Sequence, residues 1–364
     1  MATATKSAPS IFNRSDYLII LGSILLIALA AFTHFTHANQ VFSFVASAAA
    51  IALLASLVGR SVDQLGNRFG PGATGVLQSA LGNLPELFIA LFALKAGLTE
   101  VVQAALIGSI LANLLLVLGL AFLTGGLRHG TQKLDSDRAK AIIVLMVLSV
   151  AALILPSLAS YIHAPASEHE APLSTIVALI LLLLFILTLP ASLKKGATDL
   201  SKGHAGQEEA ARWPLPLAIG ILAVSAVGAA FVSDWFVHAL EPAMQAFNIS
   251  EAFAGLVIVA IAGNAVENVV GIQLALKNKS RYAFEVVINS PLQIALVLAP
   301  LLVLLSEILG YKPFTLVFSP MLVVSVAVAV IISAFVTFDG ESNWIEGAAL
   351  IAVYAIIAAS FWWG

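Results

Sequence analysis

Apolar runs long enough to cross a bilayer, separated by short polar or Gly/Pro breaks, follow one another from Tyr17 to Phe361. In hydrocarbon, every backbone N–H and C=O must be satisfied within the protein, so only helices and closed barrels span a membrane. Continuous runs of roughly 17 to 25 residues suit the helix, because a barrel strand alternates apolar and polar positions over about ten. With 60% hydrophobic and 10% charged residues, the chain reads as an all-α polytopic membrane protein. Its net charge of -3 gives no reason to expect a nucleic-acid partner, and the absence of cysteine excludes disulfides and thiolate metal ligation.

Eleven spans are expected: Tyr17–Phe32, Val41–Val58, Ala73–Ala96, Val101–Leu123, Ala139–Leu158, Pro172–Leu193, Pro214–Phe231, Ala252–Leu276, Tyr282–Leu305, Phe314–Val336 and Trp344–Phe361. The first follows Lys6 and Arg14 as a signal peptide would, but no clear small-residue cleavage site follows it, so it reads as a retained helix. A cytoplasmic N-terminus and an outside C-terminus leave only Lys95 and Lys312, of 17 lysines and arginines, on the outer side. That asymmetry is what short cytoplasmic loops show.

Two segments carry an acid where lipid makes acids expensive. Gly82-Asn83-Leu84-Pro85-Glu86 and Gly263-Asn264-Ala265-Val266-Glu267 each place a glutamate near the middle of an apolar span. On insertion scales such a charge costs about 2.5 to 3.5 kcal/mol, so the default reading is an ion or proton path. The segments also mark a repeat, because Gly82, Asn83, Glu86, Ser109 and Leu111 recur 181 residues later as Gly263, Asn264, Glu267, Ser290 and Leu292. Spans two to six and seven to eleven then form two five-helix halves with the first helix outside the repeat. The layout is residues 1–40 with the first helix, 41–193 as the first half, 194–213 as a solvated cytoplasmic linker and 214–364 as the second half. Five crossings per half make the halves insert in opposite orientations, the inverted-repeat plan of secondary transporters, whose substrate sites lie between the halves.

Both segments read as broken helices. Gly82 and Gly263 weaken a helix, and Pro85 inside one would free a carbonyl a turn earlier. A hard cation takes carboxylate, amide, hydroxyl and carbonyl oxygens. Each half offers such a set: Glu86 and Glu267, Asn83 and Asn264, backbone near Gly82 and Gly263, Ser109 and Ser290, and amide oxygens at Asn113 and Gln293. The serines also suit close helix packing, and the amides suit interhelical bonding.

The motifs Gly82-Asn83-x-x-Glu86-Leu87 and Gly108-Ser109-Ile110-Leu111-Ala112-Asn113, with Gly263-Asn264-Ala265-Val266-Glu267 and Ser290-Pro291-Leu292-Gln293-Ile294-Ala295, resemble the signature repeats of the calcium:cation antiporters. Within that superfamily they are most similar to the calcium/proton exchanger branch. The resemblance implies that Glu86 and Glu267 bind calcium or protons in turn, with Ser109, Asn113, Ser290 and Gln293 lining the same cavity. Three positions depart from the branch: Asn268 stands where histidine is common, Asn289 where glycine is expected, and Pro291 interrupts a small-residue pattern. Sodium/calcium exchangers place Asn or Asp directly after each of these serines; Ile110 and Pro291 stand there.

The reading is therefore a secondary antiporter exporting Ca2+ or a similar divalent cation against H+. It is not an enzyme, needs no cofactor, takes Ca2+ and protons as substrates in a bacterial inner membrane, and admits a homo-oligomer. A sodium-coupled exchanger of the same fold is the nearer alternative and a cation channel the remoter. An intramembrane hydrolase lacks the necessary groups, because no His-Glu-x-x-His occurs and no histidine falls within an expected span.

Overall fold

The computed structural model describes residues 11–36, 39–69, 77, 81–134, 136–201 and 211–363; the side chains of some helical residues, Val266 and Glu267 among them, lie outside that description. Among the described residues the protein is helical apart from a two-residue antiparallel pairing of β1 (Gln132–Lys133) with β2 (Glu341–Ser342). The helices in chain order are α1 (Arg14–Phe35), α2 (Gln40–Phe69), α3 (Leu84–Lys95), α4 (Thr99–His129), α5 (Ser136–Tyr161), α6 (Glu170–Ser201) and α7 (Leu215–Phe247). They continue with α8 (Glu251–Gly263), α9 (Ala265–Leu276), α10 (Ser280–Ile308), α11 (Pro320–Val336) and α12 (Trp344–Ser360). Seven of them are long and apolar enough to cross a membrane, and α8 with α9, bent by 62° at Asn264, makes an eighth candidate.

Exposure sorts these helices by what they face. Within its most apolar window α4 is 83% buried, whereas α1 and α7 are 17% and 22% buried with Leu18, Leu25, Val224 and Phe231 turned outward. Apolar side chains directed outward from a helix that is apolar all round are what lipid solvates. Thus α4 is the central rod, packed by α3, α8, α9, α10, α11 and α12, while α1, α2 and α7 pack on one another.

Two short helices start back to back against the middle of that rod. α3 begins beside Ser109, and its last residue, Lys95, leads through Gly97 (φ +83°) directly into the Thr99 end of α4. α9 begins beside Ser109 and Asn113, and its last carbonyl, Leu276, meets a ring nitrogen of His129 at the other end of α4, 2.9 Å away. The two helices therefore run from a shared centre to opposite ends. Their descriptions match at the offset seen in the sequence: each has 12 residues, and the preceding asparagines hold φ/ψ of -92°/16° at Asn83 and -95°/17° at Asn264. The next helices, α4 and α10, carry π-helical stretches at Ala112–Val117 and Ile294–Leu298. A third lies in α8 at Ala254–Val259. An extra residue in a helical turn rotates everything beyond it, and such stretches concentrate at functional sites.

Several expectations change. Pro85 falls in the first turn of α3, where its missing N–H breaks no intrahelical bond, so it frees no carbonyl in a helix interior. α7 continues sixteen residues past the expected Phe231 to Phe247, so Asp234 and His238, beyond the expected span, lie on the helix. His34 likewise closes α1, its ring stacked on Trp235 at 5.6 Å. These polar residues lie past the apolar stretch, so hydropathy ends a span before the helix itself ends. The expected linker begins as a continuation of α6 to Ser201, and residues 202–210 lie outside the described set. Residues 314 to 319, expected as the start of a span, are not helical, with Phe314, Leu316 and Phe318 buried and their N–H groups bonded to serine hydroxyls.

Candidate cation site

Glu86 sits in the first turn of α3, only 9% exposed, with its carboxylate directed at the rod. A helix N-terminus carries partial positive charge from its unpaired N–H groups, so a carboxylate there is electrostatically at home even away from water. Ser109 Oγ donates to Glu86 Oε1 at 3.2 Å. Asn264 Nδ2, from the break between α8 and α9, donates to the same oxygen at 2.5 Å and to Ser109 Oγ at 2.8 Å. Asn264 Oδ1 in turn accepts from Ser290 Oγ on α10 and from Asn113 Nδ2 on α4, both at 3.1 Å. Five polar side chains from both motif regions thus form one buried network. Ser109 lies about 15 Å from the nearer end of α4 at 1.5 Å rise per residue, and Asn113 lies deeper.

Glycine makes this approach feasible. A Cβ on Gly263 would stand 2.6 Å from Glu86 Cγ and 2.9 Å from Oε1, so no other residue leaves the acid where it is. Gly108 and Gly255 permit a neighbouring crossing of α4 and α8: a Cβ on Gly108 would lie 2.2 Å from the Leu256 carbonyl oxygen, and one on Gly255 2.3 Å from that of Val101. Beside Glu86 and Ser109 is a cavity of about 20 Å3 with otherwise apolar walls, including Ile89, Val102, Leu106 and Leu298. Its size suits one water molecule or one small ion.

Of the residues expected at the site, the structure brings together Glu86, Ser109, Asn113, Asn264 and Ser290, with Gly263 in contact. Gly82 and Asn83 form the turn before α3, and Asn83 Nδ2 is buried without a hydrogen-bond partner among the described residues. Gln293, at the end of the regular part of α10, is half-buried and joins none of these bonds. Glu267 is the third residue of α9; its side chain lies outside the described residues. The Ala260 carbonyl was not foreseen. It accepts both the backbone N–H of Asn264 at 3.2 Å and its Nδ2 at 3.0 Å, so this carbonyl near Gly263 is occupied by the protein itself.

A profile for sodium/calcium exchanger proteins matches residues 39–194 and 217–363. The chain belongs to that family. The Ca(2+)/H(+) antiporter of Aphanothece halophytica is 34% identical over 358 residues, covering 94% of this chain and 96% of that protein. Ca(2+)/H(+) antiporter ChaA of Bacillus subtilis is 35% identical over 353 residues, covering 96% and 99%. The structure of native YfkE superposes with a TM-score of 0.80 at 33% identity, over 94% of this chain and 99% of that one. The H+/Ca2+ exchanger CAX, at 16% identity and a TM-score of 0.74, shares the fold. These relatives bear out the resemblance to the calcium/proton exchanger branch.

Proposed function

We propose that the protein is a secondary antiporter that exports Ca2+, or a similar divalent cation, in exchange for H+ at a site near the bilayer midplane. The observation that carries this reading is the bond from Asn264 of the second motif to Glu86 of the first. It joins the two motifs against the middle stretch of α4 in a protein similar over nearly its full length to Ca(2+)/H(+) antiporters. α3 and α9 leave that centre in opposite directions, which supports two inverted five-helix halves behind a first helix, eleven spans in all. Contacts at the helix ends support the same plan. Arg60 pairs with Asp16, and Gln64 accepts from the Arg212 and Trp213 N–H groups, at ends placed in the cytoplasm by their basic residues. Thr175 bonds Glu307, and Ser250 bonds the Phe361 carbonyl, at ends placed outside.

The chemistry follows from charge. Glu86 and Glu267 each begin a helix at the shared centre, and their combined charge of two is cancelled either by one divalent cation or by two protons. A bare doubly charged pair is costly in a low-dielectric surround, so the site changes its exposure between sides only when filled. Exchange of one Ca2+ for about two protons results if each carboxylate carries one proton back. Ser109, Ser290 and the amide groups supply oxygen ligands and hydrogen bonds around the acids; the protein acts as a carrier with no bound cofactor.

Calcium uptake into everted vesicles under separately imposed gradients tests the assignment. An acid-inside pH gradient is expected to drive uptake, and a sodium gradient alone is not. Uptake driven by sodium with no pH gradient establishes the sodium-coupled alternative, and a saturation-free current independent of protons establishes a channel.

A further inference from the structure

The orientation of the Asn264 amide is fixed by a backbone carbonyl, which can only accept, and by Glu86 in its ionised form. Its nitrogen faces the Ala260 carbonyl oxygen at 3.0 Å and Glu86 Oε1 at 2.5 Å, and an oxygen in that place would meet two electron-rich atoms. Asn113 is oriented by the same logic, since its Nδ2 faces the Ser109 carbonyl oxygen at 2.9 Å as well as Asn264 Oδ1. The cost is visible: Asn113 Oδ1 is fully buried and has no hydrogen-bond partner among the described residues. A buried acceptor left unpaired is tolerated when the alternative is worse. Here, turning Asn113 over would set its oxygen against both the Ser109 carbonyl and Asn264 Oδ1.

This has a consequence for a cation. Glu86 Oε1 is met by N–H, not by an amide oxygen, so in this arrangement Asn264 competes with a cation for that oxygen. For Asn264 to serve as a ligand its amide must turn, giving up the bonds from Asn113 and Ser290 to Oδ1. We infer that Asn113 is a positioning residue: it holds the Asn264 amide nitrogen-first against Glu86, and the release of that hold is a step in cation loading. The second half lacks the device, because the position 181 residues after Asn113 is Ile294. An amide pair locks the Glu86 half, and Ile294 offers no amide for a matching pair in the second. The inference rests on the cation site proposed above and adds an order to its filling.

Calcium titration calorimetry on the purified protein tests it, using Asn113→Ala and Asn113→Leu beside wild type and Glu86→Gln. Losing one orienting hydrogen bond is expected to tighten calcium binding about fivefold in both Asn113 variants. Weaker binding instead makes Asn113 a direct ligand, and unchanged binding makes it a packing residue; either result overturns the inference while leaving Glu86 in place. If Glu86→Gln binds calcium as wild type does, the site itself is wrong. Should the Asn113 variants fail to fold, infrared difference spectra of the wild type with labelled asparagine side-chain carbonyls decide the matter. Calcium is expected to shift one such carbonyl band, and the absence of any shift overturns the inference.

Discussion

Asn264 and Glu86 lie 178 residues apart in sequence, yet the amide nitrogen of one rests 2.5 Å from a carboxylate oxygen of the other. Neither segment on its own makes the site. The first contributes an acid at a helix start, the second an amide and a glycine that leaves room for it, and the central rod supplies Ser109 and Asn113 between them.

Gly263→Ala is expected to abolish most transport while leaving the protein folded. The added Cβ would stand 2.6 Å from Glu86 Cγ, and the acid can shift, so the clash is relieved by displacing the functional group. Transport at least tenfold below wild type, at normal membrane abundance, is the expected result.

Gly108→Ala is expected to fail differently. Its Cβ would meet backbone of Leu256 at 2.2 Å, so α4 and α8 must separate, and overpacking of this kind costs about 1 to 3 kcal/mol or more. A lowered melting temperature in detergent checks this, with Gly220→Ala, which meets nothing within 4 Å, as the tolerated comparison.

Arg60→Ala is expected to loosen α1 from the body of the protein. Arg60 Nη1 pairs with Asp16 Oδ1 at 2.5 Å and also donates to Ser15 Oγ, while the Asp16 side chain is only 7% exposed and would be left without this cation. Hydrogen bonds to charged groups are worth about 1.5 to 3 kcal/mol. A destabilisation in that range without change in the calcium dependence of transport is expected, read by thermal unfolding beside the flux assay.

Much of this arrangement could be read before any coordinates. The 181-residue offset located both motifs, and α3 and α9 keep it from first residue to last. Acids, amides and serines in apolar spans were conspicuous because lipid penalises them, and five of them do meet. What the sequence could not show depended on rotation and on backbone. Gln293 stands two residues after Pro291 on a helix that becomes π-helical one residue later, so its direction could not be read from spacing, and it joins none of the network bonds. Ala260 takes part through its carbonyl, which any residue would supply. Helix ends at Phe247 and Ser201 were missed because polar residues continue a helix beyond the hydrocarbon, where hydropathy carries no signal.

Because the chain has no cysteine, single cysteines can report its topology without background. Lys312→Cys is expected to react with an impermeant maleimide in intact cells, and Lys277→Cys only after permeabilisation. The reverse pattern places the N-terminus outside.

Glu86 and Glu267, one from each motif, are proposed to carry calcium and protons at a common site. Proton-driven calcium flux by purified protein in liposomes, measured for wild type, Glu86→Gln and Glu267→Gln at matched incorporation, tests it most directly. Flux at least a hundredfold below wild type is expected in both variants with unaltered thermal unfolding; normal flux in either one refutes the shared site.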